Sequence, residues 1–166
     1  MASIPVFADA LSRLHADIAV IRLIRAGIPA EKISAVFPRC RAPNAVCCWL
    51  KHFQDVPFSS VVDVAAAGLL GRLFKSYSSV RSPKFGRELE VLGLTPADAR
   101  RILEKADQDR IVLCVHARTE TQAAIAWHIF QHVGAENIGS TAGSELLHAP
   151  SETTLAPAQA AGLVAA

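Results

Sequence analysis

Long apolar runs are missing from this chain, although apolar residues are abundant in it. Of its 166 residues, 51% are apolar and 19% are charged, which makes it more apolar than a typical soluble domain. The longest uncharged apolar run, Val64–Gly71, is bracketed by Asp63 and Arg72, whereas a transmembrane helix needs about 20 such residues. We therefore predict no membrane span. Instead, we predict a single domain over 1–148 that hides apolar surface in a homo-oligomer, followed by a mobile Ala-rich tail over 149–166.

Signals for export and for nucleic-acid binding are also scarce. The N-terminal segment lacks a basic region and reaches Asp9 too early for a signal peptide, so we expect a cytoplasmic protein. The cysteines are then expected to be reduced thiols. They are Cys40, Cys47, Cys48 and Cys114. The net charge of +2 is too small to indicate a nucleic-acid partner.

Motifs for catalysis are not found either. Gly68 and Gly71 lie without the lysine and hydroxyl that grip phosphate in a glycine-rich loop. The chain has no Gly-x-Ser-x-Gly turn and no pair of carboxylates flanked by a pocket pattern. We therefore predict no catalytic residues, no cofactor and no enzymatic activity.

Two similar segments organise what is present. Arg110–Thr141 has the pattern of a buried strand, a turn, a helix that ends at Gly134, and a short extended piece. A weaker copy near the N-terminus has its helix end at Gly27. With the glycines aligned, each helix carries an apolar stripe. The stripes are Ala16, Ala19, Val20, Leu23 and Ala26 in the first helix and Ala123, Ala126, Trp127, Phe130 and Val133 in the second. We interpret the pair as an internal duplication of a β-α-β unit, with both stripes packed on one sheet.

The first helix differs from the second by a further apolar line. Leu14, Ile18 and Ile21 follow one another at spacings of four and three, whereas the position aligned with Ile21 in the second helix is His128. Burying such side chains contributes ~1.5–3 kcal/mol each. We therefore expect either the middle segment or a second subunit to cover this line.

The middle of the chain predicts a helical insert over about 40–107. Short helices are expected at Ala45–Gln54 and Val64–Lys75, then a loop over Ser76–Gly86. A helix capped by Thr95 follows and ends near Asp107. The fold class predicted for the whole is α+β, with two β-α-β halves that form a four-stranded, mostly antiparallel, ferredoxin-like sheet.

The segment Glu88–Gly139 is similar to the bacterial heat-induced stress protein family typified by YflT. The similarity lies in "LEVLGLTPADARRILEKADQDRIVLCVHA" and in "GAENI" after the following helix. The segment "RAGIPAEKISAVFP" resembles the first half of that family. The resemblance implies a small α+β domain with a stress-associated role, and it brings no catalytic residues. The middle departs from the family pattern at Cys47–His52.

Two pairs of side chains have metal-ligand spacing. His128 and His132 are four apart on a helix, but Ile129 replaces the glutamate of a metalloprotease motif. Cys48 and His52 are also four apart, beside Cys47, which leaves a soft-metal or reactive-thiol site open. The alternatives are solvated histidines and buried, inert thiols, and we assign no metal ligands.

A basic window follows the small-residue helix. Its members are Arg72, Lys75, Arg81, Lys84 and Arg87. Cations around an apolar face suit a membrane surface, although a charge run is usually a solvated loop. The first functional hypothesis is a non-enzymatic, self-associating protein of general stress-response type. The alternatives are peripheral membrane binding through residues 64–87 and a metal- or thiol-based small-molecule binder.

Overall fold

The computed structural model describes residues 3–38, 53–56, 64–77, 83–108 and 110–141, and these form an α+β fold. The strands are β1 (Ile4–Ala10), β2 (Ile33–Pro38), β3 (Phe53–Asp55), β4 (Val64–Ala67), β5 (Ile111–Ala117) and β6 (Glu136–Ser140). The helices are α1 (Arg13–Arg25), α2 (Gly68–Ser76), α3 (Pro83–Val91), α4 (Pro96–Asp107) and α5 (Glu120–His132), and a 3₁₀ turn spans Ala30–Lys32.

The described strands form one six-stranded sheet in the order β3-β4-β2-β5-β1-β6. Every neighbouring pair is antiparallel, and the β1–β5 register runs from Ile4 opposite Ala117 to Ala10 opposite Ile111. All seven residues of β5 are buried. Since helices cover both faces of the sheet, this central strand has no alternation of apolar and polar residues.

Two separate cores lie on the two faces of the sheet. Leu113 and Val115 of β5 point into the first core, with the apolar stripes of α1 and α5. Val112 and Cys114 point into the second core, with buried side chains of α2, α3 and α4. Alternate residues of one strand therefore serve different layers, as the period of two requires.

The prediction that both stripes pack on one sheet is confirmed. The stripe residues of α1 and α5 are buried in the first core, apart from Ala26 and Val133 at the helix ends. Ala26 is exposed because it is the C-terminal cap of α1, and Val133 is partly buried against the core.

The two helices also end in the same way. Gly27 and Gly134 have φ of 88° and 72°, the left-handed conformation that glycine adopts without strain. The next residue in each case donates its N–H back to the helix, Ile28 to the Leu23 carbonyl and Ala135 to the Phe130 carbonyl, both at 3.0 Å. The glycine stops predicted from the sequence are thus helix caps.

The middle segment is not purely helical, and the sheet has six strands instead of the predicted four. Val64–Ala67 is strand β4, paired with β2, so the predicted helix Val64–Lys75 begins only at Gly68. Gly68 has φ of +74°, and a Cβ there would lie 2.3 Å from the Ile33 carbonyl oxygen. The chain turns at this glycine against β2, and the backbone groups of β4 are satisfied by pairing.

Other boundaries also differ from the prediction. Phe53 and Gln54 belong to β3 and not to the predicted helix Ala45–Gln54; the rest of that helix lies outside the described residues. The predicted loop Ser76–Gly86 contains the start of α3 at Pro83. Over the described ranges, the model has no helix with the length and apolar character needed to cross a bilayer.

Candidate functional site

Exposed apolar side chains concentrate on and just before α1. Leu14 is 66% exposed, and Leu11, Ile21 and Ile24 are 45%, 46% and 40% exposed. Among the described residues, the one other large apolar side chain with such exposure is Val91, on α3. We call Leu11, Leu14, Ile18, Ile21 and Ile24 the α1 surface.

The helical period places Leu14, Ile18 and Ile21 opposite the buried stripe. The Ser12 hydroxyl accepts the His15 N–H at 3.3 Å and starts the helix. From there, spacings of four and three align Leu14, half-buried Ile18 and Ile21 along one line. This spacing is typical of a helix that packs against another helix.

The described helices of the middle segment do not cover the α1 surface. Buried residues of α2, α3 and α4 belong to the second core, on the opposite face of the sheet. The described helices therefore do not support cover by the middle segment, and the remainder of that segment, 39–52, 57–63 and 78–82, lies outside the described residues.

The back of α5 is polar, as predicted. His128, Gln131 and His132 are exposed. The His132 Nδ1–H donates to the His128 carbonyl oxygen at 2.8 Å, so one ring nitrogen of the predicted pair is already engaged. The described ranges contain no group of three or more His, Cys, Asp or Glu residues placed to hold a metal ion.

Of the other predicted thiol and metal candidates, the structure describes only Cys114. Cys47, Cys48 and His52 lie outside the part of the chain that the structure describes. Cys114 is a free, buried cysteine in β5. Burial, and secondarily the charge of Asp98, raises the pKa of its thiol, which is typical of an inert core residue.

In the described part of the segment 64–87, namely 64–77 and 83–87, the large apolar side chains of the two helices are mostly buried. Leu70, Leu73 and Phe74 of α2 and Phe85 of α3 are buried in the second core. Four of the predicted cations do face solvent, namely Arg72, Lys75, Lys84 and Arg87; Arg81 lies outside the described residues. Peripheral membrane binding needs both an exposed apolar face and cations around it. The described apolar side chains named above are buried inside the protein.

A buried ionic cluster links three elements. Asp9 of β1 is 2% exposed, and both of its carboxylate oxygens lie 2.9 Å from Lys105 Nζ of α4. Asn137 of β6 donates its side-chain N–H to Asp9 Oδ2 at 2.7 Å. An acid inside an apolar strand indicates a paired charge, but nothing in the sequence names the partners.

A second buried polar pair joins β2 to β5. Ser34 Oγ lies 3.0 Å from His116 Nε2 and accepts the Leu70 N–H of α2 at 3.2 Å. Both side chains are buried, at 0% and 1% exposure. The sequence analysis missed this pair, and the one signal available was a histidine next to a fully apolar strand run.

Comparison with known proteins gives no match to a family model, a curated protein or a solved structure. The function is therefore argued from the geometry of the described residues.

Proposed function

We propose that this chain is a non-enzymatic protein that associates with a second copy of itself through the α1 surface. The observation that carries the proposal is the exposure of Leu14 and Ile21, at 66% and 46%, along a line of helix-packing spacing. Monomeric proteins rarely leave a contiguous apolar patch uncovered unless it contacts a partner.

An antiparallel pair of α1 helices fits this line. Leu14 and Ile21 lie at nearly equal distances along the helix on either side of Ile18. A two-fold axis at Ile18 therefore sets Leu14 of each protomer opposite Ile21 of its partner. A surface of this kind is self-complementary, as a two-fold dimer interface requires.

The size of the surface predicts weak association. A fully buried side chain of this type contributes ~1.5–3 kcal/mol, and the exposed residues of the α1 surface are about half exposed to begin with. Loss of translational and rotational freedom costs ~4–15 kcal/mol. The two contributions largely offset each other, so we expect only a weak, reversible dimer with a Kd on the order of 100 micromolar to millimolar.

Sedimentation velocity over a concentration series tests the proposal with two matched variants. Leu14→Lys places a charge inside the proposed interface, opposite Ile21 of the partner helix, and should raise the dimer Kd by at least tenfold. Val91→Lys makes the same change at a side chain that is 68% exposed on α3, and should leave the Kd unchanged. A wild-type protein that stays monomeric at high micromolar concentration would contradict the proposal, as would equal effects of the two variants.

A ferredoxin-like topology and an internal duplication are also part of this proposal. The strands β2, β5, β1 and β6 are neighbours in this order, and each neighbouring pair is antiparallel. Ferredoxin-like sheets have the same order and the same directions. We interpret the chain as such a core extended by β3, β4 and α2–α4. The matching ends of α1 and α5 support an internal duplication. A general stress-response role in the cytoplasm rests on the sequence resemblance and remains part of the proposal.

A further inference from the structure

The Ser34–His116 pair holds the start of α2 against the sheet. Leu70 is the third residue of α2, and its N–H is one of the first donors that no helix carbonyl can satisfy. Ala67, which precedes the helix, has no side-chain oxygen to accept it. Ser34 Oγ, from the neighbouring strand β2, accepts it at 3.2 Å, so a tertiary contact replaces the usual local cap.

The hydrogen bonds of this pair require a neutral histidine. Ser34 Oγ accepts the Leu70 N–H, and among the described residues the one acceptor for its hydroxyl proton is His116 Nε2 at 3.0 Å, so the ring proton lies on Nδ1. Nδ1 is buried and has no hydrogen-bond partner in the described structure. A protonated ring would turn Nε2 into a donor and displace the hydroxyl proton of Ser34.

The surroundings of His116 oppose a positive charge. Burial is the main cause that lowers the pKa of the imidazole to about 4; the Leu92 carbonyl of the α3–α4 loop acts in the opposite direction, and the charge of Lys32, before β2, lowers the pKa further. The positive end of the α2 dipole points at the same place. On β5 itself the nearest titratable group is the buried thiol of Cys114, and the register sets Pro5 of β1 beside the ring.

We propose that Ser34 and His116 form an acid-sensitive latch, and that protonation of His116 releases α2 from the sheet while the layer of α1 and α5 stays folded. The release affects the second core, to which α2 contributes Leu70, Leu73 and Phe74, on the β2-β4 side of the sheet near the edge formed by β3. The first core, on the other face, contains no residue of α2.

The direction of the pH effect follows from the two protonation states. For the open form, in which release of α2 exposes one side of the ring to water, we take the ordinary pKa of 6.5, against about 4 in the closed form. The open form therefore binds more protons, and the closed form loses stability as the pH falls from 6.5 towards 4. For these two values, the opening equilibrium increases about a hundredfold between pH 7 and pH 4.

Residue-resolved amide hydrogen exchange on the full chain, corrected for intrinsic exchange at each pH, tests the latch. We expect protection in α2, including the Leu70 amide, to fall about a hundredfold between pH 7 and pH 4, while protection in α5 does not. His116→Gln keeps a hydrogen-bonding amide near Nε2 without a titrating group, and should make α2 protection independent of pH.

Two results would overturn the latch. One is equal loss of protection in α2 and α5 of the wild-type chain, which would make His116 a determinant of global unfolding. The other, which needs no variant, is an NMR titration in which His116 titrates near pH 6.5 while α2 stays protected.

Discussion

At the scale of single residues, two ion pairs between described residues have very different surroundings. The Asp9–Lys105 pair is enclosed, with side chains 2% and 20% exposed, whereas the Arg110–Glu136 pair is open, at 42% and 49%. Removing one partner of a buried pair leaves an uncompensated charge. Exposed ion pairs contribute little to the free energy of unfolding, because water and salt screen their charges.

Asp9→Ala should therefore reduce the free energy of unfolding far more than Glu136→Ala. We expect a loss of about 3 kcal/mol for Asp9→Ala, at the lower end for buried pairs because Lys105 can reach water. For Glu136→Ala we expect at most about 1 kcal/mol. Urea denaturation of both variants measures the difference. Similar losses would mean that the enclosure of Asp9 does not matter for stability.

The sequence gave no means of naming the partners of Asp9. Lys105 and Asn137 are 96 and 128 residues away along the chain. The same holds for Ser34 and His116, which are 82 residues apart. Such pairs arise from strand order and helix placement, and a local pattern carries no information about either.

At the scale of secondary-structure elements, local signals predicted helix ends well and the β4–α2 junction poorly. The Thr95 hydroxyl accepts the Asp98 N–H at 3.2 Å, which confirms the predicted cap, and the Asp98 carboxylate accepts the Thr95 N–H at 2.8 Å and completes a capping box. Val64–Ala67, by contrast, has no period of its own, and alanine favours helix. Pairing with β2 outweighs that preference, and only tertiary structure reveals it.

Gly68→Ala tests the junction, with Gly27→Ala as its matched control. Both glycines have positive φ, but a Cβ at Gly27 meets nothing within 4 Å, whereas at Gly68 it would overlap the β2 backbone. We expect Gly27→Ala to reduce the free energy of unfolding by ~1–2 kcal/mol, the conformational cost alone. Gly68→Ala should cost clearly more, because backbone atoms must move. Equal losses in thermal or chemical denaturation would argue against close contact at this turn.

At the scale of the whole molecule, the two layers differ in how they are covered. The sequence predicted the sheet-facing stripes of α1 and α5, because helical periodicity alone defines them. It did not predict that α2, α3 and α4 lie on the opposite face, since the side on which an insert packs depends on long-range contacts. This placement leaves the α1 surface uncovered by the described helices.

The charges beside the α1 surface predict how its association responds to salt. Arg22 and Arg25 lie in the last turn of α1, and its first turn has no acidic residue. In an antiparallel pair these arginines meet the positive N-terminal end of the partner helix. Raising the ionic strength should therefore tighten the dimer, by screening this repulsion, and sedimentation at low and high salt measures it. Weakening by salt would point to an interface held by ion pairs instead.

The alternation of β5 between the two cores has a practical consequence. Cys114 faces the α2–α4 side, so its thiol can be reached by a reagent only when that side separates from the sheet. The rate at which Cys114 is alkylated, measured by mass spectrometry of the peptide that contains it, therefore reports how often that side separates from the sheet. It reports on one half of the molecule in the unmodified chain, while the other half stays closed.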